Sequence, residues 1–172
     1  IDLVAMCVND VLTLGAETLF FLDYLASSKI KPNNAKDGIK GITKGCHESE
    51  CALLVGQTPE LPGFYNKDEY DLAGFAVGVV EKNRIINGSK IKPGDVVIGL
   101  KSNGLHSNGY SLARKVIFEE AGFSVNQHID KLKTSVGEEL LRPTKIYVKS
   151  VRDVFEKYKT RTVIKGMAHI TG

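Results

Sequence analysis

The sequence predicts a mixed α/β or α+β protein built in two successive parts. Short apolar runs rich in β-branched and aromatic residues alternate with segments whose apolar residues recur every three or four positions, the periods of strand and helix. Glycine and proline punctuate the joints between them. A polar stretch, Asn83–Gly94, carries the turn dipeptides Asn87-Gly88 and Pro93-Gly94, and it places the domains at 1–88 and 89–172. No repeat of fixed period stands out.

Taken in order, Asp2 caps a first helix whose broad apolar face holds Leu3, Val4, Cys7, Val8, Val11, Leu12 and Leu14, and Gly15 ends it. Leu19–Leu25 is short and aromatic-rich, a buried strand rather than a helix. Pro32 stands where a helix begins, with Ala35, Ile39, Ile42 and Cys46 following at helical spacing. Cys51–Val55 is a second strand, and Gln57–Glu69, with Pro59, Pro62 and Gly63, is a loop. Tyr70–Val80 is a third strand, in which Gly74 and Gly78 mark bends or a close backbone approach. After the polar joint, Val96–Leu100 reads as a buried strand, Ser102–Gly109 as a loop and Leu112–Ala121 as a helix stopped by Gly122. Pro143 begins another helix bearing Ile146, Val148, Val151, Val154 and Phe155. A strand at Thr162–Ala168 then leads into His169-Ile-Thr-Gly172.

Hydrophobic residues make up 42% of the 172 and charged residues 25%, the balance of a folded globular chain. The net charge is +3 and the lysines are scattered, which argues against a nucleic-acid partner. The apolar stretches around Leu19–Leu25 and Ala73–Val80 are far shorter than the ~20 residues of a spanning helix, so no membrane association is expected. Three cysteines, Cys7, Cys46 and Cys51, with no Cys-x-x-Cys among them, read as buried thiols of a reducing cytoplasm rather than metal ligands. The chain opens on Ile1 rather than Met and stops at Gly172, and it is read as an internal fragment.

Four polar sites interrupt the apolar framework. Asp10 follows Asn9 inside the first helix and is flanked by Val8 and Val11. Either it faces the interior, where a carboxylate needs a partner or a cation such as Mg²⁺, or it lies with Asn9 on the solvent face. Gln57-Thr-Pro-Glu60 directly follows a strand, with Asp71 a further oxygen source at the start of the next; strand ends are well placed to reach ligands. Ordinary loop polarity explains the same residues. Ser102–Gly109 packs two glycines, one histidine and four small polar residues into eight positions between a strand and a helix. Backbone amides there suit an anion or phosphate, although a plain turn capped by Ser107 or Asn108 would use the same residue types. It is neither a P-loop nor Gly-x-Gly-x-x-Gly. Within it, His106 can donate to a phosphate or move a proton. The fourth site is His169-Ile-Thr-Gly172, while His47 and His128 lie in polar surface stretches.

The runs Ile1-Asp-Leu-Val-Ala-Met-Cys-Val-Asn-Asp10, Tyr70-Asp-Leu-Ala-Gly-Phe75, Gly104-Leu-His-Ser-Asn-Gly-Tyr-Ser111, Pro143-Thr-Lys-Ile-Tyr147 and Ala168-His-Ile-Thr-Gly172 resemble the phosphoribosylformylglycinamidine cyclo-ligase (aminoimidazole ribonucleotide synthetase) family. The resemblance covers essentially the whole chain, in order. It implies the back half of an N-terminal sheet-and-helix dimerisation domain followed by the start of an α/β C-terminal domain, with an active-site cleft involving both. It further implies a cytoplasmic homodimer that closes formylglycinamidine ribonucleotide to aminoimidazole ribonucleotide with ATP and Mg²⁺, in de novo purine biosynthesis. Carried onto this chain, Asn9 and Asp10 match the helix of the ATP–Mg²⁺ site, with Asp10 on the metal and in catalysis. Gln57, Glu60 and Asp71 match cofactor-binding positions near the same cleft. His106 and Asn108, with Ser107, match the loop expected to contact substrate or phosphate.

Two departures qualify the resemblance. Relatives usually carry Gly-Gly-Glu-Thr-Ala-Glu where this chain has Val55-Gly-Gln-Thr-Pro-Glu60, so Gln57 puts a neutral amide in place of a carboxylate. The resemblance implies that the family's glycine-rich Asp-Gly-Val-Gly-Thr-Lys segment lies upstream of this chain and the rest of its C-terminal half downstream, so that the chain holds about half of such an enzyme. The alternatives are a non-catalytic or degenerate nucleotide-binding homologue, or another ATP-dependent enzyme of the superfamily: a formylglycinamidine synthetase, a thiamin-phosphate kinase or a selenide-activating enzyme.

Overall fold

The computed structural model describes residues 1–159 and 162–171. The first helix, α1, spans Asp2–Thr13, with Ile1 at the cap position and Asp2 in the first turn. Asp2 is therefore not the cap; as an acidic residue in the first turn it suits the positive helix end. Gly15, at φ +74°, turns the chain into β1, Glu17–Ser27. Helix α2, Pro32–Ser49, begins on its proline, whose fixed φ and missing N–H suit a first turn. Strands β2, Ala52–Leu53, and β3, Tyr70–Val79, complete a sheet of order β2-β1-β3. β2 runs parallel to β1 and β3 antiparallel, with Leu22 opposite Phe75 and Phe21 opposite Ala76.

Alternation along β1 and β3 divides the sheet into two faces. Phe21, fully buried, turns inward to Val4, Val8 and Leu12 of α1 and to Ile42 and Cys46 of α2. Gly74 and Gly78 on β3 are where α1 lies closest. A Cβ on Gly74 would meet Phe21 Cζ at 2.4 Å, and one on Gly78 would meet Val11 Cγ1 at 2.6 Å and the Glu17 carbonyl oxygen at 2.8 Å. A backbone oxygen does not swing aside as a side chain does. Gly78→Ala is expected to destabilise the first unit by about 1–3 kcal/mol, read as a lower urea midpoint at unchanged slope.

The chain divides into two compact units, Ile1–Val97 with Ile146–His169, and Ile98–Lys145 with the last residues from Ile170. Helix α5, Val148–Lys157, belongs to the first, and its Val148 and Val151 enter that core. In the second unit, α3, Tyr110–Arg114, continues as a wider π turn over Lys115–Glu120, with Gly122 just beyond at φ +66°. A small hairpin of β4, His128–Ile129, and β5, Thr134–Ser135, leads into α4, Val136–Leu140. Ser135 caps α4 by accepting from Glu138 N, while the Glu138 carboxylate accepts from Ser135 N at 3.0 Å, a reciprocal capping box. These hydrogen bonds, the Ser135 amide's first, hold the Glu138 carboxyl down to about 2.

Three expected elements take another form. Val96–Leu100 is not a buried strand: Val96, Val97 and Ile98 are 83%, 96% and 78% exposed. The segment at Thr162–Ala168 likewise has no strand assignment. Apolar extended backbone becomes a strand when a neighbour takes its N–H and C=O groups, and among the described residues neither segment lies in a ladder. The last helix starts at Val148 rather than Pro143, because the intervening backbone is engaged elsewhere. Of the cysteines, Cys46 and Cys51 are buried and all three are free. The hydrogen bond between Cys46 and Cys51 holds the Cys51 thiol below its ordinary value and pushes that of Cys46 up.

Candidate functional site

Asn9 and Asp10 part company on α1. Asn9 is 3% exposed, and its Oδ1 accepts from Tyr147 N at 3.1 Å. This bond ties α1 to the residue preceding α5. Asp10, one position on, turns outward with a side chain 72% exposed. The interior position thus went to the neutral amide, which costs far less to bury than a carboxylate. Asp10 Oδ1 lies 2.8 Å from Nδ1 of His169, an imidazole only 10% exposed.

The strand-end residues collect around the far end of β1. Gln57 bridges to Tyr24 and Glu60 to Ser27 along one edge, while Asp71 pairs with Ala26 along the other. Gln57 binds through its backbone, its N–H donating to Asp23 O at 3.1 Å and its carbonyl accepting from Leu25 N at 2.9 Å. Its side chain is exposed. Glu60 Oε1 accepts from Ile30 N at 2.8 Å, and Asp71 Oδ1 accepts from Leu72 N at 2.8 Å. Asp10 belongs to the other end of the strand: its neighbour Val11 abuts Gly78, which pairs with Thr18. Six to nine residues of β1 therefore separate the two groups, roughly 20–30 Å at strand rise.

In the second unit the loop Ser102–Gly109 is built against Pro143–Lys145. Asn103 Nδ2 donates to the Pro143 carbonyl at 2.8 Å, and Ser107 Oγ lies 2.5 Å from Oγ1 of the buried Thr144. The Tyr110 hydroxyl donates to Leu140 O. His106 Nε2 accepts from Asn103 N at 2.9 Å and Lys145 N at 3.4 Å, so in the neutral ring the proton resides on Nδ1. This explains why no helix starts at Pro143. It also replaces the expected cap: Gly109, at φ +79°, precedes α3 with no side-chain cap from Ser107 or Asn108. Asn108 is exposed beside it.

His106 itself stands at φ +61°, a region Asn tolerates better than Ala. Replacing it by Ala removes an acceptor and strains the turn. His106→Ala is expected to speed amide hydrogen exchange at Asn103 and Lys145 about tenfold, whereas His106→Asn restores most of the protection. Unchanged exchange in the Ala variant would show that the ring does not hold the loop.

No group of three or more His, Cys, Asp or Glu side chains is gathered for a metal among the described residues. What α1 offers is one outward carboxylate with an imidazole on one of its oxygens. That suits Mg²⁺, which takes one or two carboxylates and completes its octahedron with water and phosphate oxygens, and not a metal caged wholly by protein.

The pattern described as AIR synthase related protein, N-terminal domain, matches residues 1–80, and its C-terminal counterpart matches residues 92–172. The chain belongs to the AIR synthase related family. It is similar to the phosphoribosylformylglycinamidine cyclo-ligases of Syntrophotalea carbinolica and Thermodesulfovibrio yellowstonii, at 58% and 59% identity over all 172 residues. It spans 48% and 49% of those relatives, about half their length. The crystal structure of thiamine monophosphate kinase from Aquifex aeolicus aligns at a TM-score of 0.55 with 18% identity, covering 89% of this chain and 47% of that one. This likeness shows the α+β fold that the AIR synthase related chain shares.

Three partners in these sites were not named from the sequence as such: His169 for Asp10, the Tyr147 amide for Asn9 and Thr144 for Ser107. Their traces were that His169 stood in the fourth polar site and that Pro143–Tyr147 and Ala168–Gly172 stood among the runs carrying the family resemblance. Gly172 lies outside the described residues.

Proposed function

We propose that the protein containing this chain is an ATP-dependent cyclo-ligase that closes formylglycinamidine ribonucleotide to aminoimidazole ribonucleotide, releasing ADP and phosphate, in de novo purine biosynthesis. The observation that carries this reading is the 58% and 59% identity, along the whole chain, to proteins of that name. The formyl oxygen takes the terminal phosphoryl group and ADP leaves. The amidine nitrogen then attacks the activated carbon and loses a proton, and phosphate departs with the oxygen. Positioning and charge neutralisation supply most of the catalysis in such transfers.

In this reading Asp10 is the residue that would hold Mg²⁺, and the ion would supply charge neutralisation for the nucleotide phosphates. Asn9 fixes the face of α1 from which Asp10 projects, whereas Gln57, Glu60 and Asp71, roughly 20–30 Å from Asp10 along β1, stand too far to meet the same nucleotide within one chain. His106 and Asn108 stand on the loop that meets substrate. With Nε2 accepting two backbone N–H groups, the ring proton of neutral His106 is the one on Nδ1. The two domains are placed at 1–88 and 89–172; the family matches ending at 80 and resuming at 92 support a boundary in that interval.

The protein is proposed to act as a cytoplasmic homodimer. Free thiols suit a reducing compartment, and no helix among the described residues is long and apolar enough to cross a membrane. For the dimer the support is the outer face of the sheet. Phe75, Val77 and Val79 are 64%, 42% and 55% exposed on β3, with half-buried Phe20 and Leu22 beside them. A continuous apolar face of this kind marks an interaction surface.

ADP release by the full reading frame tests the reaction. Substrate-dependent release, with one ADP per imidazole formed, is the expected result. A folded, ATP-binding protein that releases none would overturn the proposal.

A further inference from the structure

We infer that His169 is a positioning residue, which holds Asp10 in the orientation that receives a divalent cation. The inference rests on the proposed role of Asp10 toward Mg²⁺. The two residues stand 159 positions apart in the chain, so the pair exists only because the segment after α5 returns to α1. Both belong to the first unit.

The imidazole is nine-tenths buried, while the carboxylate it meets is largely in solvent. An exposed aspartate on a helix ordinarily samples several rotamers, and ordering it costs side-chain entropy. An N–H from a ring packed in place removes that freedom before any ligand arrives. Donation from Nδ1 to Oδ1 leaves the second oxygen of an outward carboxylate to meet a cation. Outer partners of this type orient ligating carboxylates generally, and their loss costs about 10–100-fold in metal affinity.

The other ring nitrogen supplies an independent observation. His169 Nε2 is buried with no hydrogen-bond partner among the described residues. An unsatisfied buried acceptor is costly, and an aliphatic side chain would fill the same space without it. Packing alone therefore does not account for a histidine here; the bond from Nδ1 to Asp10 does.

The test uses the full-length protein and the non-hydrolysable nucleotide AMP-PNP, titrated calorimetrically with and without Mg²⁺. The quantity read is the affinity gained on adding the metal. Asn presents its amide N–H where Nδ1 stands, whereas Gln presents one nearer Nε2. His169→Gln is expected to lose about 10–100-fold of the metal-dependent gain, with metal-free affinity unchanged. His169→Asn is expected to stay within about threefold of the parent, and Asp10→Asn to lose as much as the Gln variant or more. A Gln variant with a full metal-dependent gain, beside an Asp10→Asn variant that has lost it, overturns the positioning role and leaves the cation role of Asp10 standing. If Asp10→Asn keeps the gain, the cation role falls and the inference with it. Equal losses with and without metal in both His169 variants would make the ring a packing residue, and that too overturns the inference.

Discussion

Replacing Asp10 with Asn is expected to lower Mg²⁺- and ATP-dependent turnover of the whole protein by about 100-fold or more, while the unfolding transition stays cooperative and close to the parent's. The two halves of this expectation have separate causes. The side chain is 72% exposed, so no core packing depends on it, and an amide oxygen still accepts from His169. What disappears is the charge, and a neutral carbonyl is a much poorer Mg²⁺ ligand than a carboxylate. A hundredfold loss corresponds to about 2.7 kcal/mol of transition-state stabilisation, within reach of one metal-held contact on a transferring phosphoryl group. Steady-state ADP release alongside a thermal melt checks both halves. Turnover equal to the parent's would remove Asp10 from the reaction.

Phe75→Asp is expected to turn the proposed dimer into a monomer at micromolar concentration. Phe75 lies at the middle of the outer sheet face, opposite Leu22 and next to Val77. Two-fold symmetry would place the substitution in the interface twice. At about 2–4 kcal/mol for each buried, unpaired charge, the pair of changes weakens association by roughly 10³–10⁶-fold. In the monomer the same side chain is 64% exposed, so the fold itself tolerates the change. Sedimentation equilibrium over a concentration series reads the mass directly. A variant that remains a dimer would place the interface elsewhere, and a parent that is monomeric throughout would remove the homodimer from the proposal.

Much of the first unit was legible because its signals are local. Helical spacing from Leu3 to Leu12, the aromatic run of β1 and Pro32 at a helix start each depend on residues a few positions apart. Gly74 and Gly78 were legible only as a choice between bends and close approach; the helix packed on β3 settles it as approach. The capping box at Ser135 and Glu138 is equally local, and the α4 it opens was written in the sequence but not read. Val96–Leu100 failed for the opposite reason. Its composition is that of a strand, but pairing is a property of two segments, and apolarity in one of them does not provide the other.

The candidate site divides along the same line. That Asn9, Asp10, His106 and the strand-end carboxylates interrupt apolar surroundings follows from the sequence alone, since polar groups stand out against a periodic apolar pattern. Which of two adjacent polar residues turns inward does not. The helix phase is set by its packing on the sheet and by the Tyr147 amide, 138 residues from Asn9. The sequence by itself determined the order of the elements, the residue types available for chemistry and the family to which they belong. Only the tertiary structure decided that Asn9 is buried and Asp10 is not, that His169 meets Asp10, and that His106 spends Nε2 on its own loop. Periodicity acts over one helical turn or two strand residues, whereas each of those outcomes depends on where the chain returns.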